Sequence, residues 1–234
     1  MSIILILMFL SVLGLNIAKY LSISLATRIF KAISSFLFIA LGFSASKKGE
    51  FTNKKYKNLI LIGFVFAFLG DVFMAFKSVA PIIFYLSVIS FAITHIFYSS
   101  AFITLRKVSI KDMVLSLIIS SIPIIFIFSN ENIKLGSKAP IIIFYAIIIG
   151  FMLSKSFSLL IYFKENKGFI FKTFLGTILF FASDFMLLFI LFDKTTPEYI
   201  NYIEITIYYI AQCILALSFT SKLNISEKSS RREN

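Results

Sequence analysis

FVFAFLGDVFMAF, residues Phe64 to Phe76, places an aspartate, Asp71, inside a run otherwise built of aromatic, aliphatic and glycine residues. A second stretch, TILFFASDFMLLF from Thr177 to Phe189, does the same with Asp184. Apolar runs of this kind recur along the chain and reach about 20 residues, the length a helix needs to cross a bilayer. With 59% hydrophobic and 15% charged residues among 234, the composition is that of a multi-pass membrane protein. In lipid every backbone polar group has to be bonded within the spanning structure, so runs without strand-like alternation mean helices and not a barrel.

Outward from these two stretches, the hydropathy pattern predicts an all-α, polytopic protein of eight transmembrane helices: Ser2 to Ala18, Ile29 to Ser46, Asn58 to Phe76, Ala80 to Leu105, Met113 to Ser129, Ala139 to Phe163, Phe169 to Phe192 and Tyr199 to Thr220. Pro81, Pro140 and Pro197 stand at or just before helix starts, where a missing N–H costs nothing, and only Pro123 falls within a span. The N-terminus, MSIILILMFL, lacks a basic segment and a small-residue cleavage site and reads as a first span, not a removed signal. Residues 1–220 are expected to form a single eight-helix transmembrane domain, and residues 221–234 a polar tail.

The formal charge of +12 does not point to nucleic acid, because the basic residues fall between apolar runs instead of gathering on one domain. They report topology. Most lie in the loops after spans two, four and six and in the C-terminal tail; the smaller set on the other side is Lys19, Arg28, Lys31, Lys77, Lys134, Lys138 and Lys194. That bias places both termini in the cytoplasm, and a bacterial cytoplasmic membrane is the expected location.

The two halves of the chain, about 1–107 and 108–220, resemble one another. GFSASK, Gly42 to Lys47, and GFMLSK, Gly150 to Lys155, agree at four of six positions. Asp71 and Asp184 are each followed closely by a Phe-Met pair, Phe73 and Met74 or Phe185 and Met186. His95 lies twenty-four residues beyond Asp71, and Tyr208 lies twenty-four beyond Asp184. The offsets are 108 and 113, and paired spans run in the same direction, so the expected arrangement is a parallel four-plus-four repeat.

A carboxylate among lipid tails is expensive, and an ionisable residue there faces the bundle interior or a water-filled cavity. At about 1.5 Å per residue, Asp71 lies roughly 8 Å from the end of its span and Asp184 roughly 12 Å from the end of its own. Similar depth would let them meet and share one proton, an acid beside a carboxylate. The structural alternative is that each caps a backbone group or bridges two helices. His95, the only histidine, excludes a three-histidine zinc site; it would orient an aspartate, shuttle a proton or bridge helices. Tyr208 and Gln212 share a helix face at i and i+4 and suit water, a head group or interhelical hydrogen bonds. Lys155 reads as a snorkelling or bridging lysine, and Glu204 as interfacial. Cys213, alone, forms no disulfide within the chain and no thiolate-rich metal site. No phosphate-cradling glycine loop, nucleophile elbow or H-E-x-x-H is present, and Ser183 has no second histidine to activate it.

Taken in order, LGD (Leu69 to Asp71), His95 followed by Phe97 and Tyr98, ASD (Ala182 to Asp184) and YYIAQ (Tyr208 to Gln212) resemble the YhhN-like family, which includes the lysoplasmalogenases. The likeness runs over essentially the whole chain. Where the family often has Lys-Pro at the start of span two, this chain has Lys31-Ala32. The resemblance implies hydrolysis of the vinyl ether bond of a lysoplasmalogen, a lysophospholipid within the bilayer, to a fatty aldehyde and glycerophospho-ethanolamine or glycerophospho-choline. It implies Asp71 and Asp184 as the catalytic pair, with His95, Tyr208, Gln212, Ser183 and Lys31 assisting or binding substrate, and no metal or other cofactor. The chemistry agrees: an oxocarbenium-like intermediate calls for an acid and a nearby negative charge, as in glycosidases. The phosphate would sit near Lys31, Lys77 or Lys194. A proton-coupled transporter using the same aspartates, or a non-catalytic assembly protein, is the alternative function.

Overall fold

A computed structural model describes residues 1–48, 53–163 and 167–221. Eight helices follow one another: α1 Ser2–Tyr20, α2 Ser24–Lys48, α3 Lys54–Ala75, α4 Pro81–Ile103, α5 Ile110–Ser129, α6 Ala139–Tyr162, α7 Lys167–Phe192 and α8 Tyr199–Ser218. Each is long and apolar enough to cross a membrane, and no strand occurs among the described residues. The protein is a multi-pass membrane protein. Lys164 and all but the first residue of the 221–234 tail lie outside the described residues.

Four helices begin earlier than hydropathy predicts, α2 at Ser24, α3 at Lys54, α5 at Ile110 and α7 at Lys167, while α1, α6 and α8 begin where expected and α4 one residue later. Hydropathy sees where the hydrocarbon begins, whereas the backbone is already helical at polar caps outside it. The Asn53 side chain accepts from Tyr56 N–H at 3.0 Å, and Ser109 with Asp112 forms a reciprocal capping box. Pro81 and Pro140 sit in the first turns of α4 and α6, and α5 runs through Pro123.

In chain order α1 packs on α2, α2 on α3 and α3 on α4; α5 packs on α6, α6 on α7 and α7 on α8. The two sets join where α4 meets α6 and where α2 meets α8. α1 and α5 are peripheral, with Ile3, Phe9, Leu117 and Phe128 exposed on their outer faces. Helices in lipid gain no hydrophobic drive from one another and associate where small residues let backbones approach. Gly63 on α3 receives the Tyr98 ring of α4, and Gly176 on α7 receives Leu215 and the Ala211 carbonyl of α8. Gly150 on α6 lies directly against Ser120 of α5.

The two ends of the bundle differ. At the end carrying the termini, the Tyr56 ring packs on Phe169 at 5.4 Å, Phe102 at 6.2 Å and Phe219 at 6.3 Å, and all four are fully buried. The same end holds a buried ionic knot. Lys155 donates to Asp112 Oδ2 at 2.9 Å and to the carbonyls of Arg106 and Lys107, each at 3.1 Å. Arg106 bonds Asp112 and Ser158 and lies 3.7 Å over the Tyr162 ring. Lys155 therefore bridges helices. At the opposite end the helix termini spread around a cavity.

Candidate functional site

Asp71 lies one turn before the end of α3, with 1% of its surface exposed. Lys31 and Ser35, at i and i+4 on α2, present one helix face to it. The Lys31 ammonium stands 3.2 Å from Oδ1. Oδ2 accepts from the Ser35 hydroxyl at 2.6 Å and from the Tyr208 hydroxyl of α8 at 2.8 Å. Tyr209 OH donates to the Lys31 carbonyl at 3.1 Å, tying α8 to the same turn of α2. The carboxylate thus has an opposite charge and two hydroxyl donors, what a buried carboxylate requires.

Asp184, midway along the second half of α7, has different company. Its Oδ2 accepts from Tyr145 OH of α6 at 2.6 Å and lies 3.1 Å from His95 Nε2 of α4. His95 Nε2 is also 2.8 Å from Tyr145 OH, so the three groups form a closed triangle. His95 is fully buried, its Nδ1 3.3 Å from Met152 Sδ and its ring 4.8 Å from Phe180. Asp184 and Tyr145 border a small cleft of about 40 Å³ between α5, α6 and α7, whose walls include Pro123, Ile149 and Phe181.

The expected meeting of the two aspartates does not occur. They share no hydrogen-bond partner among the described residues, and Phe180 stands between their sets, packed on His95 at 4.8 Å and on Tyr208 at 5.2 Å. Similar depth was insufficient because α3 packs between α2 and α4, and α7 between α6 and α8. Asp71 is bonded from α2 and α8 and Asp184 from α4 and α6, so the two carboxyls draw on different helices. Gln212 accepts from Tyr98 OH at 3.0 Å and braces α4 against α8 beneath Tyr208. Ser183 touches neither carboxylate: its hydroxyl donates to the Phe180 carbonyl of its own helix at 2.8 Å. Its place next to Asp184 in sequence puts it about 100° away around the helix.

Beside the Asp71 set, a cavity of about 360 Å³ lies between the ends of α1, α2, α3, α7 and α8. Lys19, Arg28, Lys31, Lys77 and Glu204 line it together with Met74, Leu187 and Ile190. Lys194 does not. Lys77, in the α3–α4 connection, is exposed at the cavity mouth, and partial desolvation there with the nearby charges of Lys31 and Lys19 pushes it down to about 8. An amphipathic cavity with a cationic rim, and with the Asp71-paired Lys31 in its wall, suits an anionic group attached to an apolar chain.

Sequence reading missed Ser35, Tyr145 and Glu204. Ser35 was findable at i+4 from Lys31, and Tyr145 only from knowing that α6 packs on both α4 and α7. Glu204, read as interfacial, is 8% exposed because α1 and α2 wall in the start of α8.

The comparisons with curated proteins and with solved structures found no match. The YhhN family model matches residues 26–219, from the first turn of α2 to the residue after α8. That stretch covers every residue bonded to Asp71 or Asp184, and the chain belongs to the YhhN family.

Proposed function

We propose that this protein is a lysoplasmalogenase-like hydrolase acting on the vinyl ether of a single-chain phospholipid. The observation that carries this reading is the cation-rimmed cavity whose wall includes Lys31, with Asp71 paired to that lysine behind it. A lysolipid phosphate rests against Arg28 and Lys77, and the linkage between glycerol and chain falls one turn deeper, level with Asp71. Family membership is consistent with a hydrolase.

In this reading a proton passes to the β-carbon of the vinyl ether, and the C=C electrons form the new C–H bond. The adjacent carbon becomes an oxocarbenium ion. Water adds there and gives up a proton, forming a hemiacetal. The bond to the glycerol oxygen then breaks, that oxygen is protonated, and the hemiacetal hydroxyl loses its proton to leave an aldehyde. Asp71, facing the Lys31 ammonium, acts as the carboxylate that steadies the cation and receives the proton of water. The Asp184–His95–Tyr145 triangle holds the proton to be delivered. Both reach one substrate when the alkenyl segment inserts at the Phe180–Tyr208 contact.

The four-plus-four repeat belongs to the same proposal, with both halves in one transmembrane domain. It is supported by the packing order, in which each contact within α1–α4 has its counterpart within α5–α8. Exchanging the halves turns the α2–α8 contact into α6–α4, and these are the helices that serve Asp71 and Asp184 respectively. Gly63 and Gly176, each at a close approach to the next helix, share the 113-residue offset, as do Tyr56 and Phe169, which touch one another. With both termini cytoplasmic, the cavity opens on the outer side.

Transport through the same aspartates is less well supported, because α3 and α7 run unbroken through Asp71 and Asp184, whereas transport sites are built on discontinuous helices. The test is aldehyde release from a lysoplasmalogen by purified protein, with Asp71→Asn and Asp184→Asn as controls. Stoichiometric aldehyde and glycerophospho head group are expected. No aldehyde, or full activity in both variants, overturns the proposal.

A further inference from the structure

We infer that Glu204 is a specificity residue that reads the lipid head group, its carboxylate taking the ammonium of a zwitterionic lysolipid while Arg28 and Lys77 take the phosphate. The inference rests on the lysolipid reading above. Glu204 is 8% exposed and lines the 360 Å³ cavity. Among the described residues it accepts no hydrogen bond and pairs with no cation within 4.0 Å. Lys31 and Lys19 act on it only at longer range, their close contacts being to Asp71 at 3.2 Å and to Asn201 Oδ1 at 3.3 Å. Arg28, over the Phe76 ring at 4.8 Å, and Lys77 contribute positive charge to the same cavity.

A carboxylate in a narrow cavity with no cation in contact is costly, and a cationic ligand group relieves that cost. The depth is right for a head group. Helical side chains lean toward the N-terminus of their helix, so Glu204, one turn before Tyr208, places its carboxylate nearer the mouth than Asp71, which Tyr208 reaches. A lysolipid whose phosphate is about one turn above its ether linkage brings an amine, if it has one, to that level. A head group with a bare phosphate brings only negative charge and leaves Glu204 unpaired, which is discrimination by repulsion as well as by attraction.

Non-cleavable ligands separate binding from chemistry. A 1-O-alkyl lysophosphatidylethanolamine and a 1-O-alkyl lysophosphatidic acid lack the vinyl double bond, and their equilibrium binding is measured on the full chain in detergent. The wild type is expected to prefer the ethanolamine ligand about tenfold, the scale of one charge-assisted hydrogen bond. Glu204→Gln is expected to bring the two within about twofold by loss of the ethanolamine ligand's advantage, while Glu204→Asp keeps the direction of preference. No preference in the wild type, or a preference that survives in Glu204→Gln, overturns the inference, as does equal weakening of both ligands. Wild-type aldehyde release, measured in parallel, judges the hydrolase reading separately. Aldehyde without head-group preference sinks the Glu204 role alone, preference without aldehyde sinks the hydrolase reading alone, and neither preference nor aldehyde sinks both.

Discussion

Asp71 and Asp184 are both carboxyls set in apolar helices, α3 and α7, yet their surroundings are chemically unlike. Asp71 faces a lysine and two hydroxyls, and Asp184 a tyrosine and the only histidine. One set borders an amphipathic, cation-rimmed cavity of about 360 Å³, the other an apolar cleft of about 40 Å³. The lesson is that position along a helix sets where a carboxyl can be, while the neighbouring helices decide what it can do. A fixed counter-charge makes a standing carboxylate; a histidine and a phenol make a site where a proton can change hands.

The sharpest way to break the comparison is to neutralise each carboxyl. Asp71→Asn and Asp184→Asn are each expected to lower aldehyde release about a thousandfold, the scale of a lost acid or base, while each variant still folds. Full activity in one of them would make its aspartate structural. Next in size is the counter-charge. Lys31→Met leaves Asp71 unpaired and should cost about 3 kcal/mol in thermal unfolding in detergent. Adding Asp71→Asn should return part of that, whereas His95→Leu, which leaves the Tyr145 bond in place, should cost only about 1 kcal/mol. The glycine approaches come third. Gly63→Ala drives into a Tyr98 ring held by Gln212, and Gly176→Ala into the more adaptable Leu215. Losses of about 1–3 kcal/mol are expected, larger at Gly63. The smallest effect is at the cavity rim. With Lys77 at about 8, its ammonium is present below that pH and lost above it. KM should therefore rise about threefold as pH passes 8, and Lys77→Arg should flatten the profile.

Apolar runs long enough to span a membrane made the eight helices legible, since the cost of unbonded backbone in lipid leaves few choices. The two aspartates were legible for the same reason: their cost makes them conspicuous. Their separation was not. Which side of α3 faces α2 is a property of packing among helices whose hydropathy is nearly uniform around the axis, so periodicity carries no direction. Tyr145 and Ser35 are ordinary residues in ordinary helices until their neighbours are known. Ser183 shows the opposite failure, a polar residue conspicuous beside Asp184 that is spent on its own helix backbone. Glu204 looked interfacial because its depth along α8 is small, while its burial comes from other segments.

The ring cluster of Tyr56, Phe102, Phe169 and Phe219 has a bearing on the energetics of the membrane itself. A chain of carboxyls, phenols and an imidazole wetted from both faces would conduct protons and discharge the gradient that the membrane maintains. Here four buried rings fill the end with the termini, while the cavity beside Lys31 lies at the opposite end. A packed aromatic layer of this kind is what would keep acid–base groups deep in a bilayer from becoming a leak.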